Sequence, residues 1–236
     1  MTKQEFLDRI AQERPLLADS AMGTLLHERG IPIDTAFDEL NLKRPDLILE
    51  VHRAYVAAGS ELIETNTFGA NRFKLGEHGL DDHVAEINIA GAKLAKLAAA
   101  EAGHRVFVAG SVGPLGLGIQ PYGRLRSEDA RAAFAEQIRA LAEGGVDLII
   151  LETFSDVHEA VEALSAAHEA APDLPVVSQM TFTADDRTLL GYLPGRVARD
   201  LREAGADVIG VNCSGGPPQD TRILLAVEQG QPGRSL

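Results

Sequence analysis

Six short apolar runs recur along this chain, at residues 15–19, 62–67, 106–112, 147–153, 175–182 and 207–212, and stretches with apolar residues at helical spacing separate them. These runs are apolar almost throughout rather than alternating with polar residues. A strand of that kind is buried on both faces, which is the situation of a parallel sheet covered by helices. Helices are expected at 3–13, from Pro45 to a stop at Gly59, at 82–102, from Ser127 to Gly144, and at 156–170, 196–204 and 219–228. Pro45 suits a first helical turn, and Glu128 and Asp129 suit the positive end of the helix they open. Residues 20–24 are expected as a turn of small residues, and the seven histidines, none at a metal-ligand spacing, as solvated or capping residues.

Regular alternation of strand and helix admits a doubly wound sheet or a barrel. The polar residues decide between them. Asp19, Thr65-Asn66, Glu152 and Asn212-Cys213 stand at the C-terminal ends of four different runs. A barrel collects its chemistry from the ends of several strands, whereas a doubly wound sheet concentrates it at one crevice. The expected fold is therefore α/β, a TIM (β/α)8-type barrel of which about six βα units are present. Residues 1–236 are expected to form a single domain lacking the last two units, and no linker or change of composition divides them.

The chain carries a formal net charge of −13, which argues against nucleic acid or an anionic membrane surface as a partner. It has one cysteine, no apolar N-terminal segment and no run long enough to span a bilayer, so a cytoplasmic setting is expected. Taken alone, Cys213 reads first as a small buried hydrophobe and second as a thiol delivered to a strand end before the Gly215-Gly216-Pro217 breaker. Gly110 to Gly118 is not a phosphate loop: it matches neither GxGxxG nor the P-loop spacing, and Pro114 removes an N–H. Tyr122 reads as loop packing or as a contact over the mouth.

Four motifs occur in order: Asp19-Ser20-Ala21-Met22-Gly23-Thr24, Glu64-Thr65-Asn66-Thr67-Phe68-Gly69-Ala70-Asn71, Gly110-Ser111-Val112-Gly113-Pro114-Leu115-Gly116 and Gly210-Val211-Asn212-Cys213. Together they resemble the homocysteine S-methyltransferase family, over nearly the whole chain. The resemblance implies zinc-dependent methyl transfer to the thiol of L-homocysteine, giving methionine. It implies zinc held by three cysteines, of which Cys213 matches the first and the adjacent pair has no counterpart here. Asp19 and Glu152 match the pair that holds the substrate ammonium group, with an ordinary cap or ion pair as the alternative for each. Thr65 and Asn66 are expected to orient the substrate or to satisfy the turn before Gly69, and the N–H groups around Met22 to bind the substrate carboxylate. The methyl donor is unknown, with a methylfolate- or cobalamin-linked donor among the possibilities. Expected partners are homocysteine itself and a homo-oligomer, or a fused or partner reductase or folate-binding domain. The alternative function is a truncated, catalytically incompetent barrel acting as an assembly partner. An aldolase or lyase would want a lysine at a strand end, and none stands there.

Overall fold

The computed structural model describes residues 2–229. Five strands, β1 (Leu62–Glu64), β2 (Phe107–Val112), β3 (Leu148–Phe154), β4 (Val176–Met180) and β5 (Val208–Val211), form one parallel sheet in the order β1-β2-β3-β4-β5. The helices are α1 (Lys3–Ile10), α2 (Met22–Glu28), α3 (Leu40–Lys43), α4 (Pro45–Ala57), α5 (Arg72–Gly76), α6 (Val84–Ala100), α7 (Ser127–Glu143), α8 (Val157–Ala170), α9 (Pro194–Glu203) and α10 (Pro217–Gln229). Each strand neighbours its predecessor in the chain. The sheet thus lacks the reversal of order that makes the switch point of a doubly wound fold.

The expected first strand is not a strand. Of residues 15–19, Ala18 alone makes a parallel bridge, to Leu62. The segment still lies along β1: the N–H groups of Glu61 and Leu62 reach Leu17 O at 2.8 and 3.2 Å, and Asp19 N–H reaches Leu62 O at 2.9 Å. Pro15 has no N–H to give to a ladder, and the run is too short to continue without it. Six expected strands therefore become five and a bridge, with Asp19 in the position anticipated for it.

Alternation explains why the runs look uniformly apolar. Leu62, Phe107, Ala109, Leu148, Ile150, Val177 and Val208 share one face of the sheet and pack with Phe6 of α1. The intervening Ile63, Val108, Ile149, Leu151, Val176 and Ile209 pack outward under the helices. Both faces are dry, so both parities are apolar. Phe6 is 1% exposed and meets Phe107 edge-on, ring centroids 5.5 Å apart. Its burial stabilises the fold by about 1.5–3 kcal/mol. A capping box, Glu5 N–H to Thr2 Oγ1 and Thr2 N–H to Glu5 Oε2, fixes the start of α1.

Two further expectations are corrected. Residues 20–24 are not all turn, because Met22 already opens α2. His52 is neither solvated nor a cap: it is 0% exposed on the inward side of α4, one helical turn after Ile48. The polar tail expected at 230–236 lies outside the described residues.

Candidate functional site

Continued by one more step toward the C-terminal end, the inner face of the sheet turns polar. Period two carries Leu62 to Glu64, Ala109 to Ser111, Ile150 to Glu152 and Val177 to Gln179, and carries Val208 through Gly210 to Asn212. These side chains line a cavity of about 830 Å³, floored by the apolar layer below them. A Cβ at Gly210 would lie 3.2 Å from Gln179 Cγ, its register partner's side chain on β4, which would have to give by a few tenths of an ångström.

Three carboxyls share one wall of this cavity. Asp19 Oδ2 accepts the Glu64 N–H at 3.0 Å, and Glu152 Oε1 accepts the Ser111 hydroxyl at 2.6 Å. Burial pushes the Asp19 carboxyl up to about 7, partly opposed by the Glu64 N–H and reinforced by the charge of Glu152. Glu64 is raised well above the usual carboxylate range, by burial first and then by the Glu152 and Asp19 carboxyls. Among the described residues, no lysine, arginine or histidine forms an ion pair with any of the three. Lys74 lines the same cavity without pairing to any of them, and a cation placed among them would relieve their repulsion.

Cys213 lines the same cavity and is exposed. Asn212 Nδ2 lies 3.6 Å from Cys213 Sγ and 3.4 Å from Glu152 Oε2, and Thr153 Oγ1 lies 3.7 Å from the same sulfur. Cys213 at φ 53° and Thr153 at φ 62° both occupy the left-handed region, which disfavours residues with a side chain. Each such residue costs about 1–3 kcal/mol, and strain of that kind collects at ligand sites.

Asp19, Met22, Thr65, Asn66, Glu152 and Cys213 all line this one cavity. Their polar groups are not equally free. Thr65 Oγ1 accepts the Ser111 N–H at 3.0 Å and bonds Thr67 Oγ1 at 2.6 Å, while Asn66 Nδ2 donates to Phe37 O at 2.7 Å and to Asn41 Oδ1 at 3.1 Å. These two side chains hold the wall together. In α2 the Leu25 N–H bonds Ala21 O at 3.2 Å, so the N–H groups of Met22 and Gly23 precede the first helical bond, beside the cavity. Tyr122 is 70% exposed and does not line the cavity.

Sequence reasoning missed Glu64, Ser111 and Gln179 as parts of this wall. The period-two step was available, but two dry faces concealed which parity was the inner one. It also missed two carboxyls that hold nearby backbone, one of them, Asp38, in the cavity lining. Asp38 Oδ1 accepts the Gly69 N–H at 2.9 Å and is pushed up to about 6 by burial, and Glu159 Oε1 accepts the Leu115 N–H at 2.7 Å and is pushed up to about 7, also by burial.

Cys213 is the chain's only cysteine. Among the described residues no group of three or more His, Cys, Asp or Glu could hold a metal ion, so these residues do not fit a complete zinc centre. No helix among them is long and apolar enough to cross a membrane.

Comparison with known proteins agrees with this geometry. The sequence pattern of the family described as homocysteine S-methyltransferase matches residues 16–233. The chain is 31% identical over 233 residues to the methionine synthases of Mycobacterium leprae (strain TN) and of Mycobacterium tuberculosis (strain ATCC 25618 / H37Rv). Each alignment covers 93% of this chain, which spans 19% of the length of those relatives. The metallated form of the homocysteine methyltransferase MmuM from Escherichia coli superposes with a TM-score of 0.80 at 25% identity, over 97% of this chain and 83% of that one. Its apo form gives 0.74 at 25% identity, over 95% and 80%. The carboxyl transferase domain of Rhizobium etli pyruvate carboxylase, at a TM-score of 0.56 and 13% identity over 99% of this chain and 39% of that one, shares the fold alone.

Proposed function

This chain belongs to the homocysteine S-methyltransferase family, and on that premise we propose that it transfers a methyl group to the thiol of L-homocysteine, giving methionine. One observation carries the proposal. A cation-seeking wall of carboxyls and an exposed thiol line one cavity at the C-terminal ends of parallel strands. An amino acid with a thiol side chain matches both.

In this reading Asp19 and Glu152 take the substrate ammonium, whose charge relieves the repulsion between them. The N–H groups of Met22 and Gly23 face the substrate carboxylate. Thr65 and Asn66 position the wall through their bonds to Ser111, Phe37 and Asn41. The homocysteine sulfur, directed toward Cys213, attacks the donor's methyl carbon. The S–C bond forms as the bond from carbon to the donor breaks, with its electron pair going to the donor, and the thiol proton leaves to water. The zinc dependence expected of the family would involve Cys213 as one ligand. The described residues do not complete that centre, so the roles assigned here belong to the carboxyls and the backbone.

The strand order and the separate inner and outer layers support treating the sheet as an arc of a (β/α)8 barrel and the chain as one homocysteine-binding domain. The likeness to methionine synthases much longer than the matched stretch supports a methyl donor, methylfolate- or cobalamin-linked, carried by a separate module. A reducing, cytoplasmic setting keeps Cys213 a thiol.

The test is methionine formation from L-homocysteine with a methylcobalamin, a methylsulfonium and a betaine donor, run beside zinc analysis and calorimetric binding of L-homocysteine. The expected result is homocysteine binding and methionine from at least one donor class, with both lost in Asp19→Asn/Glu152→Gln. Absence of homocysteine binding and of methionine with all three donors would sink the proposal.

A further inference from the structure

Asp19 and Glu152 each have a hydrogen-bond donor from the protein, the Glu64 N–H and the Ser111 hydroxyl. The side chain of Glu64 does not. It projects from β1 on the inner face, and its side-chain partner is the carboxyl of Glu152. Two carboxyls set against each other either share a proton or close on a cation. Asp19 adjoins them through the Glu64 N–H, so the three acid groups share one wall of the cavity. A primary ammonium carries three N–H donors and no acceptor. Three carboxyls are the matching set.

We propose that Glu64 is a third acceptor for the substrate ammonium, so that Asp19, Glu64 and Glu152 each take one of its N–H bonds and the site is restricted to amino acids with a free primary amine. The inference rests on the reading of the pocket as an amino-acid thiol site. An N-acylated substrate has one N–H and no charge there, and would leave buried carboxyls unpaired. A des-amino thiol would forgo the whole set.

The 236-residue protein and its Glu64→Gln variant are titrated calorimetrically with L-homocysteine and with 4-mercaptobutanoate, the same thiol acid without the amine. Glu64→Gln should weaken L-homocysteine binding about tenfold or more, the usual scale for a hydrogen bond to a charged group. It should leave 4-mercaptobutanoate within about twofold, which also shows that the variant is folded, and Glu64→Asp should recover part of the loss. Equal weakening of both ligands would assign Glu64 a purely structural role and overturn the inference, as would unchanged homocysteine affinity. Wild-type protein that binds both thiols equally, or neither, overturns the amino-acid reading itself, a failure visible without any variant.

Discussion

Asn212 grips Thr153 from two strands away: its Oδ1 accepts the Thr153 N–H at 2.9 Å and its Nδ2 donates to Thr153 Oγ1 at 2.8 Å. β4 lies between them, and the clamp passes over its end, where Asn212 N–H also bonds Met180 O at 3.2 Å. It holds Thr153 in its left-handed conformation, at the point where β3 slips register against β4. Glu152 and Cys213 are the chain neighbours of the two clamped residues. The clamp therefore sets the distance between the carboxyl wall and the thiol.

Asn212→Ala removes both bonds and frees a strained backbone. At about 1 kcal/mol per hydrogen bond the expected loss is about 2 kcal/mol, which lowers the melting temperature by about 4–8 °C in a domain of this size. Homocysteine affinity should fall as well, because the wall and the thiol are no longer held together. A thermal melt with a binding titration checks both, and an unchanged melting temperature would refute the clamp.

Asp19→Asn should trade binding for stability. The fold raises the Asp19 pKa from 3.8 to about 7, so the native state holds that proton more tightly than the unfolded chain. Its contribution to stability is full below about pH 4 and declines as pH rises to about 7. The asparagine variant should therefore melt higher than wild type at pH 8 and alike at pH 4, while losing about tenfold or more in homocysteine affinity. Melting curves at the two pH values decide it.

His52 works in the opposite direction. Both ring nitrogens lack a hydrogen-bond partner, and burial pushes the ring down from 6.5 to about 4. The fold favours the neutral ring, so its contribution is intact above pH 6.5 and is lost as pH falls toward 4. His52→Leu should stabilise the protein by about 1–2 kcal/mol at neutral pH by removing two unsatisfied polar atoms. It should also flatten the decline in acid. Denaturant titrations at pH 7 and pH 5 would show otherwise if the difference between variant and wild type shrank in acid.

Cys213 is exposed and is the only thiol. Iodoacetamide should add once per chain, read by intact mass, and saturating L-methionine, the product without a free thiol, should slow the addition about tenfold by covering the sulfur. A rate that methionine does not alter would place the amino acid elsewhere.

Much of this was legible before any coordinates. The apolar runs, the Pro45 start, the carboxylate ending residues 147–152 and the Asn212-Cys213 pair specified a parallel α/β sheet with chemistry at its C-terminal end, because burial on both faces and polar strand ends leave a direct mark on residue type. Helix positions followed from 3.6-residue periodicity and needed adjustment at their ends, as at α1, which stops at Ile10. The tertiary structure alone decided which parity of each strand faced inward, and hence that Glu64, Ser111 and Gln179 join the wall. It reduced residues 15–19 to a bridge, buried His52, and committed the Asn66 amide to Phe37 and Asn41. The reason is physical. Residue type records whether a position is dry, but where both faces are dry it cannot record which neighbours meet there, and those meetings join residues as distant in sequence as Asn212 and Thr153.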